Sequence, residues 1–118
     1  MSYLQSFVLA IPQDRKDDYR EMTAGMWEMF KTHGALSSIE AWEDDVPEGE
    51  VTSFALAVKR EPGEAIVTGF TLWPDKATYE TAMQAMMSDT SMEGMEMPFD
   101  GKRMFWGGFD PIFEAKAD

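Results

Sequence analysis

The chain has no cysteine, a single histidine and only 10 basic residues among 118. Without cysteine there is no disulfide, no thiolate metal site and no thiol nucleophile, and the composition fits a reducing compartment. The lone His33 lacks the partners that a zinc site needs. Ten basic residues stand against 22 acidic ones, and the net charge of −12 repels a phosphate backbone, so nucleic acid is not an expected partner. That charge reads first as a solubility device. Long apolar runs are missing as well. The opening MSYLQSFVLAIP has no basic flank and its short apolar stretch ends at a proline, so neither a signal peptide nor a membrane span is expected and the expected location is the cytoplasm.

What the chain does have is methionine, 11 residues of it, and aromatic side chains. Flexible thioethers favour adaptable packing over metal binding. The length fits one domain over residues 1–118, able to bury roughly two thirds of its unfolded surface, with residues 114–118 expected to fray.

The most distinctive stretch is MPFDGKRMFWGGFDPIF, residues 97–113. Pro98 pushes Met97 toward an extended conformation, Asp100 and Gly101 supply turn chemistry, and a strand is expected from about Lys102. Alternation puts Lys102, Met104, Trp106 and Gly108 on one face and Arg103, Phe105, Gly107 and Phe109 on the other. Both faces carry large apolar groups, so this strand reads as covered on two sides, and its paired glycines point to a bend or bulge.

Earlier in the chain, residues 3–11 read as a strand with Tyr3, Phe7, Leu9 and Ile11 opposite Leu4, Val8 and Ala10. Pro12 ends it, and Asp14 and Asp17 place acceptors and negative charge where a helix has free amides. That helix should run to about His33, burying Tyr19, Met22, Met26, Met29, Phe30 and His33, with Gly34 as a left-handed cap. Residues 36–43 form a second strand, thin in apolar groups and suited to a sheet edge. An acidic connection over 44–54 leads toward a third strand at 64–73, with Ile66, Phe70 and Leu72 opposite Val67 and Trp73. Asp75 is placed to cap a second helix, which shows Tyr79, Met83, Met86 and Met87 on one face and stops near Asp89. A methionine-rich linker follows.

The order βαββαβ predicts an α+β, ferredoxin-like fold: a four-stranded antiparallel sheet with two helices on one face. Apolar groups on both faces of its strands would leave a lone protomer with an oily surface, so a homodimer with two sheets face to face is expected.

WEDDVPEGEVTSF, GFTLWPDK and MPFDGKRMFWGGFDPI resemble the YbaA-like family of small proteins of unassigned function, whose fold is a dimeric α+β barrel. The likeness rests on Trp42, Asp44, Asp45, Val46 and Pro47, on Trp73 and Pro74, and on Pro98 through Met104 with Gly107, Gly108 and Phe109. It implies the same ferredoxin-like dimer and no established reaction. The chain departs from the family pattern at Glu43, Glu50, Thr78 and Tyr79, which counts against a charged-ligand site on the second helix.

Trp27, Trp42, Phe70, Trp73, Phe105 and Trp106 suffice to line a cavity between helices and sheet, and the ligand-binding candidates are His33, Trp42, Phe70, Trp73, Tyr79, Arg103 and Phe105. For His33 the competing reading is a helix-end histidine near the last carbonyls. Glu43, Asp44, Asp45, Glu48 and Glu50 lack the spacing of a calcium loop and read as a solvated turn. Met92, Met95 and Met97 read as linker before they read as a copper site. No metal and no cofactor is expected. Asp44 and Asp45 could pair with Lys102 and Arg103, beside Asp100, as a structural motif joining the two signature stretches. The functional expectation is a homodimeric binding module for a small apolar or aromatic ligand, with cofactor-free oxygenase- or isomerase-like chemistry as fold-level analogy. The alternative is a non-catalytic interaction dimer that uses its acidic loop and dimer surface.

Overall fold

The structure, a computed structural model, describes residues 2–89 and 97–117. Met92 and Met95 of the methionine-rich linker lie outside them. Four strands form one sheet in the order β2-β3-β1-β4. β1 (Tyr3–Pro12) and β3 (Glu64–Trp73) are its centre, antiparallel over ten residues from Tyr3 opposite Trp73 to Pro12 opposite Glu64. β2 (Ser37–Trp42) adds to β3, and β4 (Phe105–Phe109) adds to β1, both antiparallel. The thin second strand does lie at an edge.

One face of the sheet packs against α1 (Lys16–Thr32) and α3 (Lys76–Ser88). Leu9, Ile11 and Val67 join Tyr19 in one buried cluster, and Trp73 joins Tyr79 and Ala82 in another. These strand residues are the odd-numbered ones, so the odd positions of β1 and β3 face the helices, as the alternation of apolar groups requires. The even positions face away, where Val8, Ala10 and Ile66 pack against Ala55 and Val58. The arrangement is α+β and ferredoxin-like, with a short extra helix on the second face.

That extra helix, α2 (Phe54–Val58), corrects the expectation of an unbroken connection between β2 and β3. Its start is local chemistry: the Ser53 hydroxyl accepts from the Leu56 N–H at 3.0 Å. Its end is the left-handed Lys59, φ 55°. The start of α1 also differs, since Gln13–Arg15 form a 3-10 turn and no side chain caps the helix. Asp17 and Asp18 in the first turn still oppose the helix dipole. At the other end Gly34 takes the expected left-handed conformation, φ 105°. α3 begins as expected, with the Thr78 N–H donating to Asp75 Oδ1 at 2.7 Å, but Met87 is 87 % exposed and not on the buried face.

β4 starts at Phe105, three residues later than Lys102. Asp100 holds the chain in a turn until then. Its carboxylate accepts from the Lys102 N–H at 3.0 Å and from Arg103 Nε at 3.1 Å, and its carbonyl accepts from the Arg103 N–H at 3.2 Å. A turn closed by its own aspartate outcompetes extension of the ladder.

Candidate functional site

The two helix-side clusters do not merge. Between them, strand register brings two rows across the sheet to the helix side. Ser38, Thr71 and Gln5 form one row, all polar, and Glu40, Gly69, Phe7 and Trp106 form the next, in which Phe7 and Trp106 are large and Gly69 has no side chain. The small and polar positions of this floor leave a cavity of about 260 Å³ under α1 and α3.

The walls are apolar. α1 contributes Met22, Met26, Trp27 and Phe30 at helical spacing, and α3 contributes Met83 and Met86. The segment before β4 closes the far side with Met97, Phe99 and Met104. Six methionines from helices and loop thus give the cavity walls that can change shape at little cost.

A few polar groups converge on this space. Trp73 Nε1 donates to Gln5 Oε1 at 3.2 Å, while Gln5 Nε2 approaches Met83 Sδ at 3.7 Å. Ser38 and Thr71 hydroxyls are 3.1 Å apart. Among the described residues Glu40 is the only acid in the lining, and no lysine, arginine or histidine joins it there. The Tyr19 hydroxyl donates to Glu40 Oε1 and the Thr23 hydroxyl to Glu40 Oε2. Burial, followed by that bond to Glu40, pushes the Tyr19 phenol above its ordinary value, so Tyr19 stays a donor. Two hydroxyls therefore aim one carboxylate.

With this geometry in place, comparison with known proteins defines the family. Residues 2–101 match the family described as Protein of unknown function (DUF1428). The chain belongs to this family. Its relatives include the uncharacterized protein YbaA of Escherichia coli K12 and that of Shigella flexneri, each 48 % identical over 116 residues, covering 97 % of this chain and 99 % of the relative. Among solved structures, a MhuD mutant with two manganese protoporphyrin IX bound per active site is similar at TM-score 0.62 and 8 % identity, covering 99 % of this chain and 100 % of that one. A dimeric ferredoxin-like protein from an uncultured marine organism is similar at TM-score 0.57 and 14 % identity, covering 98 % and 100 %. At these identities the structural neighbours establish the fold.

In this DUF1428 member the residues singled out from the sequence sit elsewhere than the cavity lining. His33 caps the end of α1, its N–H shared between the Met29 and Phe30 carbonyls. Trp73 is fully buried beneath the cavity's edge and Tyr79 packs on it, ring centroids 6.0 Å apart. Trp42 borders a smaller cleft of about 140 Å³, with Lys16 Nζ 5.4 Å from its ring centre. Phe70 and Phe105 stand on the opposite face of the sheet, 42 % and 44 % exposed.

The proposed pairing of Asp44 and Asp45 with Lys102 and Arg103 is not formed. Arg103 instead binds Glu64, Asp100 and the Lys59 carbonyl. The acidic loop is held by Arg60, whose Nη1 reaches both Glu43 oxygens at 2.7 Å and whose Nη2 reaches Glu48 at 2.9 Å. Arg60, just before β3, and Glu64, its first residue, are the partners that Glu43 and Arg103 of the signature stretches take. Glu40, Gln5 and Thr23 were absent from the candidates. The available signal was the phase of β2: Ser38, Glu40 and Trp42 share the side that faces α1, so a charge at 40 is an inward charge.

Proposed function

We propose that the protein is a homodimeric binding module for a small, mostly apolar or aromatic ligand, held between α1, α3 and the sheet. The observation that carries this reading is the cavity itself: apolar walls, a few convergent polar groups and one oriented carboxylate. An apolar cavity of about 150 Å³ takes a benzene, so about 260 Å³ accommodates a fused bicycle. A fold neighbour that binds a flat macrocycle supports a ligand role without naming the ligand. The proposed setting is the cytoplasm, and among the described residues no helix is long and apolar enough to cross a membrane.

The dimer rests on the face turned away from α1 and α3. α2 covers only part of it, leaving Ile39, Phe70, Phe105 and Phe109 exposed at 66, 42, 44 and 55 %. A cluster of this kind on a sheet surface is normally covered, and a second copy is the simplest cover. The dimeric neighbour supports that choice.

The test is thermal unfolding against bicyclic and tricyclic aromatic probes. A ligand that binds the folded state alone raises the midpoint, and Met26→Trp, which fills the cavity, should abolish the rise. Absence of a shift with every probe at millimolar concentration would return the choice to the non-catalytic interaction dimer.

A further inference from the structure

Resting on the cavity reading, we infer that the ligand class is an ammonium with an apolar, aromatic body, its cationic head seated on Glu40. Three independent features converge on this. First, Glu40 carries a charge into an apolar wall, and among the described residues no lysine or arginine forms an ion pair with it. The basic groups of the adjoining cleft are engaged elsewhere: Lys16 lies over the Trp42 ring and Arg20 pairs with Asp17. Second, Tyr19 and Thr23 use one acceptor site on each carboxylate oxygen, so each oxygen keeps acceptor capacity for a further N–H donor. Third, the same cavity presents the rings of Phe7, Trp27, Phe30, Phe99 and Trp106, which attract a cation over their faces.

The whole-protein field acts in the same sense. A net charge of −12 concentrates cations and repels carboxylates at the approach to the site. A ligand bearing a carboxylate would meet Glu40 without a compensating base in the lining. Charge sign therefore sets selectivity, while the methionine walls tolerate variation in the body.

The test uses three probes with one ring system: naphthylethylammonium, naphthylethanol and naphthylacetate, titrated calorimetrically into the full chain at pH 7. The ammonium should bind about ten-fold tighter than the alcohol, as one charge-assisted hydrogen bond implies, with the acetate weakest. Glu40→Gln, which keeps the side-chain shape and an acceptor for Tyr19, should bring the ammonium-to-alcohol ratio close to one. Equal binding of ammonium and alcohol to the wild type overturns the inference and leaves the cavity reading intact. So does an undiminished ratio in E40Q, which would assign the preference to net charge. Failure of all three probes to bind removes both. The wild-type series decides the matter even if E40Q does not fold.

Discussion

Arg103 and Glu64 form a two-pronged ion pair, Nη1 to Oε1 and Nη2 to Oε2, each 2.7 Å. The side chains are only 17 % and 10 % exposed. This pair ties the turn that precedes β4 to the first residue of β3, so the loop that carries Met104 and Phe99 to the cavity hangs on one guanidinium. Arg103→Met removes charge-assisted bonds while keeping the apolar stem, and should cost about 2–3 kcal/mol in urea unfolding. A loss within error would show that the turn is held by packing instead.

The same pair gives a pH dependence. The Arg103 hydrogen bond holds the Glu64 carboxyl below its ordinary value of 4.5, and the Arg60 hydrogen bond does the same for Glu43. A depressed folded-state value means stability that is present above about 4.5 and is lost as pH falls through the folded value. Because acid also relieves the net charge of −12, the useful quantity is a difference. The gap in melting temperature between wild type and Glu64→Gln should be widest near neutrality and should close as pH falls below about 4.5.

Arg60 joins Glu43 and Glu48 across the acidic loop, and Glu43 also accepts from the Ile66 N–H at 2.9 Å. Arg60→Ala should speed limited proteolysis within residues 44–53 well before it lowers global stability, because loop opening needs less than unfolding. The corresponding change at Lys102 should leave the cleavage rate alone.

Gly69 lies under the Phe7 ring, and a methyl group there would overlap ring atoms and approach Glu40 Cγ at 3.1 Å. Gly69→Ala should destabilise by about 1–3 kcal/mol through overpacking. It should also weaken any cavity ligand, since the displaced Phe7 ring lines the cavity. Loss of stability with unchanged ligand affinity would place the ligand elsewhere.

Phe70→Glu sets a charge in the centre of the exposed sheet face and should convert a species of twice the 13.4 kDa chain mass into a monomer by sedimentation. Wild-type protein sedimenting at 13.4 kDa would remove the dimer at once.

Much of the architecture was legible because strand and helix periods are local. Phe7, Leu9 and Ile11 repeat every second residue, in phase with Tyr3, and Pro12, Gly34, Pro74 and Asp75 punctuate the chain where the structure changes direction. The errors arose where short-range chemistry competed. Asp100 prolongs a turn that strand propensity would have ended at Lys102, and Ser53 starts a helix inside what reads as a loop. The site was far less legible. Aromatic residues were sensible candidates, yet Trp73 is buried core and Phe70 points away, because being aromatic says nothing about which side of a sheet a residue occupies.

Taken alone, the order of amino acids determined element types, their alternation of faces and the strongly negative charge, since each depends on neighbours a few positions away. Only tertiary structure decided that Gln5, Ser38, Glu40, Gly69 and Thr71 come from three strands to one floor. It also decided that Arg103 finds Glu64 before Asp44 or Asp45. Ion pairing and cavity formation depend on register between distant segments, and register is set by how the whole sheet packs against its helices.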